Sequence, residues 1–227
     1  MTVADSKELR ITVGERVGDV SALYRRPPDA RALFVLAHGA GAGMRHAFME
    51  AIADRLEARQ IATLRYQFPY MEAGRRSPDV PGKLVGTVRA AVRKAAELAP
   101  DIPLFAGGKS LGGRMTSTAA ASADLPEVVG IVFLGFPLHA PNKPGDKRAT
   151  HLFDVNVPML FLQGTRDSLA DLSLLAPICK KLGAKATLHI VEGGDHSFKV
   201  PKRSGRTHDE TLDELADAIA NWIDRLS

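Results

Sequence analysis

The sequence predicts an α/β protein in which helices cover both faces of a mostly parallel sheet. After two short alternating segments, apolar runs and helical segments follow one another to the end of the chain, which is the pattern of an α/β sandwich. The runs at residues 32–37 and 128–136 contain no polar side chain, as expected for strands buried on both faces. No repeat, low-complexity linker or shift in composition divides the chain. We therefore expect one domain over residues 1–227.

The individual elements are predicted from the spacing of apolar residues. Residues 9–13 and 17–24 alternate on either side of Gly14 and Glu15, which predicts an antiparallel pair of strands. Buried strands are expected at residues 32–37, 61–68, 102–106, 128–136, 158–163 and 186–191. Helices are expected at residues 48–59, 82–98, 115–123, 172–182 and 209–226.

Composition is that of an ordinary globular protein, with 45% hydrophobic residues, 25% charged residues and a net charge of +4. The basic residues are scattered and belong to no recognised module, so no nucleic-acid partner is expected. No apolar stretch is long enough for a membrane span, and residues 1–20 lack the apolar core of a signal peptide. The single cysteine, Cys179, cannot form an internal disulfide. Together these features predict a cytoplasmic protein without a membrane partner.

The pentapeptide Gly-Lys-Ser-Leu-Gly at residues 108–112 is the strongest indication of chemistry. It follows a predicted strand and precedes a predicted helix, the context in which G-x-S-x-G exposes a serine as a nucleophile. Glycine is required on either side because the turn leaves no room for a side chain. We therefore predict Ser110 as the nucleophile.

The general base and its acidic partner are expected on loops after later strands, in the order acid and then histidine. Asp167 follows the strand at residues 158–163, and His196 follows the strand at residues 186–191. Asp195 adjoins His196 and is poorly placed to hold the far side of that ring. The sequence therefore predicts a Ser110, His196 and Asp167 triad.

An oxyanion hole is expected from two backbone N–H groups. One belongs to Leu111, directly after the serine, and the second comes from the glycine-rich loop at residues 38–43, for which we select Ala40. His38, which closes the preceding strand, is interpreted as a structural loop residue. The loop lacks the spacing of a phosphate-binding motif, so no nucleotide cofactor is expected.

Substrate contacts are predicted in the loop after the strand at residues 61–68. Tyr70 could form an aromatic wall, and Arg75 and Arg76 could pair with an anionic group; packing and solvation are the alternative roles of the same residues. Lys109 either tunes the site electrostatically or pairs with a nearby carboxylate. No metal is expected, because His139, His151 and Asp154 match no known ligand spacing.

Five segments of the chain resemble known enzymes. Residues 38–41, 107–114, 163–167 and 194–198 together resemble an α/β-hydrolase. With residues 68–78, the chain is similar to small lidless bacterial hydrolases related to dienelactone hydrolase and to the hydrolase-like subunit 3 of the NSL chromatin complex. The resemblance covers nearly the whole chain and implies an α/β-hydrolase fold. Dienelactone hydrolases proper use a cysteine nucleophile, where this chain has Ser110.

The pattern favours a serine hydrolase that acts on small or short-acyl carboxylic esters through an acyl-enzyme intermediate. Only about twenty residues separate the strands at residues 128–136 and 158–163, too few for a cap domain that would enclose a long chain. A thioesterase or peptidase-like acyl hydrolase is the enzymatic alternative. A binding or scaffold protein with a hydrolase fold is the third hypothesis, and the intact triad favours an enzyme over it.

Overall fold

The computed structural model of the chain describes residues 6–123 and 125–226. Within these residues, eight strands form one sheet in the order β1-β2-β4-β3-β5-β6-β7-β8. They are β1 (Lys7–Gly14), β2 (Gly18–Arg25), β3 (Ala32–Ala37), β4 (Ile61–Tyr66), β5 (Leu104–Lys109), β6 (Val128–Leu134), β7 (Met159–Gly164) and β8 (Ala186–Val191). The β1–β2 and β2–β4 pairs are antiparallel, and the pairs from β4 to β8 are parallel. The mostly parallel sheet predicted from the sequence is confirmed.

In the part of the chain that the structure describes, six α-helices connect and cover the strands. They are α1 (Ala47–Glu57), α2 (Pro69–Glu72), α3 (Pro81–Leu98), α4 (Leu111–Ser122), α5 (Leu172–Leu182) and α6 (His208–Asp224). Short 3₁₀ helices lie at Lys147–Asp154, Gly183–Lys185 and Lys202–Ser204. None of the helices in the described part of the chain is both long and apolar enough to cross a bilayer.

Several predicted boundaries differ from the structure by a few residues, and three of them have a local reason. β4 ends at Tyr66 because Pro69 begins α2, where its fixed φ suits the first helical turn. β6 ends at Leu134 because Gly135 has a φ of 74°. Helix α4 begins at Leu111, four residues before the predicted start. The predicted start was late because two glycines weaken the helical pattern of the first turn.

Helices α1 and α6 pack on one face of the sheet, and α3, α4 and α5 on the other. Trp222 of α6 lies against Phe105 of β5, with ring centroids 5.8 Å apart. Gly130 of β6 makes room for the indole, since a Cβ there would lie 2.5 Å from Trp222 Cη2. The two apolar layers fix the helices over the sheet and bring the first turns of α1 and α6 to its carboxyl edge.

Polar contacts hold the first turn of α6 in place. Thr207 and Glu210 form a reciprocal capping box, in which Thr207 Oγ1 accepts from Glu210 N at 3.1 Å. Arg55 of α1 donates to Asp209 at 2.8 Å, and Arg59 donates to Asp217 at 2.7 Å. The capping box fixes the start of α6, and the two ion pairs tie α1 to α6 along their length.

The turn from β5 into α4 depends on two glycines, Gly107 and Gly108, which directly precede the last residue of β5. Gly107 and Gly108 have φ values of 153° and 151°. A Cβ at Gly107 would lie 2.0 Å from Val132 O, and one at Gly108 would lie 2.1 Å from Ala37 O. Both contacts are far inside van der Waals range and involve backbone atoms that pair in the sheet. The close approach of β3, β5 and β6 therefore excludes any side chain at these two positions.

We predict that Gly108→Ala destabilises the fold by several kcal/mol, about the upper range for a single substitution, because backbone strain and a backbone clash coincide. Gly86 is the matched control: it lies inside α3 with nothing within 4 Å of a built Cβ. Gly86→Ala should raise the free energy of unfolding by about 1 kcal/mol. Urea unfolding measures both, and a Gly108→Ala variant as stable as wild type would contradict the steric argument.

Candidate active site

Ser110 stands at the junction of β5 and α4 with its hydroxyl at the carboxyl edge of the sheet. Its backbone is strained, with φ 50° and ψ −113°, and its N–H donates to Leu134 O at 3.1 Å. This conformation is uncommon for a residue with a side chain. It turns the half-buried Ser110 Oγ toward the loop after β8, 2.9 Å from His196 Nε2.

His196 and Asp167 approach Ser110 from two neighbouring loops. Asp167 follows β7, His196 follows β8, and His196 Nδ1 lies 2.7 Å from Asp167 Oδ2. Since an ionised carboxylate only accepts, the ring proton resides on Nδ1 and Nε2 accepts from the serine hydroxyl. Asp195 takes no part in this chain, because its Oδ1 accepts from the backbone N–H groups of Ser197 and Lys199. The structure thus brings the three predicted side chains into one hydrogen-bonded chain.

Asp167 is held as a carboxylate by several donors. Its Oδ2 also accepts from Gln163 Nε2 at 2.6 Å, and its Oδ1 accepts from Leu169 N at 2.8 Å. Burial alone would raise the pKa of Asp167, but the bond to His196 and the surrounding positive charges, including Lys109, lower it below its usual range. Asp167 is therefore ionised at neutral pH and fixes the orientation of the His196 ring.

Gln163 is a supporting residue that the sequence analysis did not identify. It lies in β7, is fully buried, and its Oε1 accepts from Phe136 N at 3.0 Å while its Nε2 donates to Asp167. The amide therefore joins the loop after β6 to the carboxylate. The only signal in the sequence is a polar residue that closes an otherwise apolar run, since a buried amide requires partners.

The glycine-rich loop after β3 is fixed by His38. Its ring is fully buried, and Nε2 accepts from Phe68 N at 3.0 Å, so Nδ1 carries the proton and donates to Gly39 O at 2.8 Å. Tyr70 Oη donates to Ala40 O at 3.0 Å. Since C=O and N–H of a trans peptide point in opposite directions, holding Gly39 O sets the direction of the Ala40 N–H. His38 thus orients the loop, as its interpretation as a structural residue implies.

Leu111 and Ala40, the two predicted oxyanion donors, flank Ser110. Leu111 is the first residue of α4, so its N–H has no carbonyl to pair with inside the helix. Gly39, which precedes Ala40, lies so close to the serine that a Cβ there would be 3.7 Å from Ser110 Cβ. Gly39 and Ala40 line the cavity in front of the hydroxyl, and Leu111 directly follows Ser110.

The structure corrects the prediction that Tyr70, Arg75 and Arg76 line the substrate site. Tyr70 is buried beneath the loop after β3 and its hydroxyl is used by backbone carbonyls. Arg75 and Arg76 are exposed, and Arg75 pairs with Asp79 at 2.8 Å. None of the three contributes to the cavity at Ser110. Proline at position 69 begins a helix and turns this segment away from the serine.

The cavity in front of Ser110 opens instead toward the first turns of α1 and α6. Its volume is about 860 Å³, within the usual range for ligand sites. Phe48, Met49 and Leu212 form an apolar wall, and Leu169 and His196 also line the cavity. His46, Lys199 and His208 stand at its polar rim. The sequence did not predict this wall, because residues of α1 and α6 meet only after both helices pack on the sheet.

The remaining histidines have structural partners. His151 Nε2 lies 2.8 Å from the hydroxyl of Ser117, a second serine–histidine pair, but Ser117 is fully buried inside α4. His139 Nε2 accepts from Asp171 N at 2.9 Å. Within residues 6–123 and 125–226, no group of three or more His, Cys, Asp or Glu side chains is arranged to hold a metal ion.

Burial lowers the pKa of His38 from 6.5 to about 4. Between pH 6.5 and pH 4 the unfolded chain therefore binds a proton at His38 that the folded protein does not bind. The contribution of neutral His38 to the free energy of unfolding is complete above pH 6.5 and is lost as the pH falls toward 4. We predict that the free energy of unfolding of wild type falls by about 3 kcal/mol over that pH range because of this group. His38→Gln should lack this fall.

Urea unfolding of both proteins at several pH values measures the difference. His189→Gln is the control, since the His189 ring pairs with Glu214 near the surface and its removal should leave the His38 contribution in place. Parallel losses in wild type and His38→Gln would show that His38 is not held neutral.

Three solved structures illustrate the similarity of the whole chain to known proteins. Dienelactone hydrolase from Anabaena variabilis superposes with a TM-score of 0.77 at 19% identity over 99% of both chains. A lidless α/β serine hydrolase from Xanthomonas campestris gives 0.74 at 20% identity over 96% of this chain and 95% of that one. The esterase domain of a Rhodothermus marinus protein gives 0.73 at 15% identity over 97% and 98%.

At these identities the superpositions establish the fold. The predicted α/β-hydrolase architecture without a large cap is confirmed, as is the resemblance to dienelactone hydrolase, whereas the relation to the NSL subunit stays a prediction. The family model described as an alpha/beta hydrolase domain matches residues 30–224. With that match covering most of its length, the chain belongs to the alpha/beta hydrolase family.

Proposed function

We propose that this protein is a serine hydrolase that cleaves small or short-acyl carboxylic esters through Ser110, His196 and Asp167. The observation that carries the proposal is the hydrogen-bonded chain from Ser110 Oγ to His196 Nε2 at 2.9 Å and from His196 Nδ1 to Asp167 Oδ2 at 2.7 Å. The chain opens directly into a ligand-sized cavity. A scaffold protein would require neither feature, so the arrangement favours an enzyme.

In the first half of the reaction, Ser110 Oγ attacks the ester carbonyl carbon while His196 Nε2 takes the hydroxyl proton. The carbonyl oxygen becomes an oxyanion, for which the N–H groups of Ala40 and Leu111 are the proposed donors. His196 then gives its proton to the departing alkoxide, and the alcohol leaves an acyl group on Ser110. Because Asp167 remains ionised, it stabilises the imidazolium that exists between these two proton transfers.

In the second half, water enters the place of the alcohol. His196 Nε2 takes a proton from the water as it attacks the acyl carbon, and the same two backbone N–H groups stabilise the second oxyanion. Collapse of this intermediate returns the proton to Ser110 Oγ and releases the acid. His46 and Lys199, two exposed residues, line the cavity, so water can enter there without a moving lid.

Cavity shape supports the proposed size of the substrate. The apolar wall of Phe48, Met49 and Leu212 can receive a short acyl chain or a small ring, and the sheet edge carries no cap insertion in the described residues that would enclose a longer one. Methylenes beyond the wall would remain in water and add little of the ~0.8 kcal/mol that burial of each contributes. The names of the lidless serine hydrolase and the esterase domain agree with this proposal.

The length of chain that contributes to the sheet also supports our proposal that residues 1–227 form one domain. The strands run from residue 7 to residue 191, and α6 returns to pack on β5 and β7. A single apolar layer therefore includes residues from the beginning, middle and end of the chain, as expected for one folding unit.

We predict that Ser110→Ala lowers ester hydrolysis by at least about 10³-fold, as loss of a triad nucleophile does, and leaves thermal stability near that of wild type. A fluorophosphonate probe should label wild type on Ser110 and should not label the variant. Measurement requires a p-nitrophenyl butyrate assay and mass spectrometry of the labelled peptide.

Ser117→Ala is the matched control, because Ser117 also pairs with a histidine but is fully buried. It should retain both hydrolysis and labelling. Wild-type activity in a folded Ser110→Ala variant, or labelling that depends on Ser117 instead, would overturn the assignment of the nucleophile.

We predict that kcat/KM is higher for acetate and butyrate esters than for octanoate and palmitate esters of one leaving group. Ala47→Phe should strengthen this preference at least about fivefold, because Ala47 is an exposed residue at the cavity mouth. A fivefold change in kcat/KM corresponds to about 1 kcal/mol of activation free energy. Ala58→Phe, at the other end of α1 and also exposed, is the control.

Rates that rise steadily to palmitate would contradict the open site. Arg75→Ala and Arg76→Ala should leave KM unchanged for neutral and anionic esters alike, since neither arginine borders the cavity. A selective rise in KM for the anionic ester would restore the role that the sequence suggested for them.

A further inference from the structure

We propose that Lys109 is a positioning residue for the reaction, which fixes the loop of His196 through its backbone carbonyl and places a positive charge beside Asp167. The inference rests on the proposed triad and extends it to a fourth side chain. Lys109 is the last residue of β5 and directly precedes Ser110.

The first support is the contact that Lys109 makes. Its Nζ donates a hydrogen bond to His196 O, between residues 87 apart in sequence. One side chain therefore links the strand that presents the nucleophile to the loop that presents the base. Because the acceptor is a backbone carbonyl, the contact restrains the loop itself as well as the histidine side chain. A displacement of about 1 Å between reacting groups can cost about 10²-fold in rate, so such a restraint has catalytic value.

The second support is the aromatic environment of the ammonium. Nζ lies over the rings of Phe48 and Phe198, at 5.8 Å and 5.5 Å from their centroids. The two rings are stacked at 16° with centroids 6.1 Å apart. A cation beside two ring faces recovers part of the hydration that it loses on burial. The protein therefore accommodates a charge at this position, where a neutral chain would pack at lower cost.

The third support is the proximity of the ammonium to the histidine–aspartate pair. A Cβ built on Gly135 would lie 3.2 Å from Lys109 Nζ, 3.4 Å from His196 Nδ1 and 3.5 Å from Asp167 Oδ2. One small volume thus borders all three groups, and glycine leaves it free of a side chain. The positive charge stabilises the carboxylate in addition to the bonds that Gln163 and Leu169 donate.

The titration of Lys109 agrees with this geometry. Burial lowers the pKa of its ammonium to about 8, against the opposing effect of the carboxylates of Asp167 and Asp195. Those two carboxylates and the ring of His196 are the titratable groups that face it. The charge is therefore present at neutral pH and is lost as the pH rises through about 8, so an alkaline decline in rate is expected there.

Two variants separate the hydrogen bond from the charge. Lys109→Met keeps the length of the aliphatic chain and removes both, whereas Lys109→Gln keeps a donor without charge. We expect Lys109→Met to lower kcat for a butyrate ester by about 10- to 100-fold with little change in KM, and Lys109→Gln to recover part of that loss. Lys181→Met, on the exposed surface of α5, is the control and should match wild type.

Three further readouts distinguish positioning from a merely structural contact. The alkaline limb near pH 8 should be present in wild type and absent from both Lys109 variants. The low-field proton resonance of the His196–Asp167 hydrogen bond should move in the variants, and the fluorophosphonate labelling rate should fall with kcat. Wild-type kcat in Lys109→Met, or a reduced kcat with an unchanged alkaline limb and resonance, would overturn the proposal.

The design keeps this failure apart from failure of the proposed function. If Ser110 is labelled in wild type and Lys109→Met is labelled at the same rate, the hydrolase proposal stands and the role of Lys109 is wrong. If neither variant folds, the pH profile of wild type still tests the proposal. A constant kcat between pH 7 and 9 would contradict a contribution of the Lys109 charge to the rate.

Discussion

The close approach of β5 to its two neighbours is the constraint on which the site depends. Backbone carbonyls of β3 and β6 occupy the space where side chains of Gly107 and Gly108 would stand. Only that approach lets the chain turn sharply enough to hold Ser110 at a φ of 50°. The strain is local and is offset by sheet hydrogen bonds and apolar layers on both faces. The rigid sheet thus maintains a conformation of Ser110 that a flexible loop would relax.

Much of this arrangement could be predicted from the sequence because its signals are local. Continuous apolar runs identify the parallel strands, and Ser110, Asp167 and His196 follow such runs directly. The carboxyl ends of parallel strands lie at one edge of the sheet, so the order of strands along the chain sufficed to predict that the three loops meet. Boundaries failed where glycine or proline changed the backbone, as at Gly135 and Pro69.

Other features could not be predicted, because they depend on which elements meet in space. An aromatic residue near a strand end can face a ligand or pack beneath a loop, and Tyr70 does the latter because carbonyls of the loop after β3 need a donor. The cavity wall combines Phe48 and Leu212, residues 164 positions apart whose helices adjoin only after folding. The function of Gln163 likewise depends on two loops that its sequence neighbours do not reveal.

Each buried polar group in or near the triad is held in one charge state by its surroundings, and this explains why the site is stable. His38 is held neutral, Asp167 is held ionised by several donors, and Lys109 keeps its charge beside two aromatic rings. Each group contacts a backbone atom of a different loop, so the same bonds that satisfy it also fix that loop. Removal of one partner would therefore have two effects at once: a buried donor or acceptor would lose its hydrogen bond, and a loop would lose its restraint. Stability of the carboxyl edge and alignment of the proposed reaction therefore depend on the same contacts.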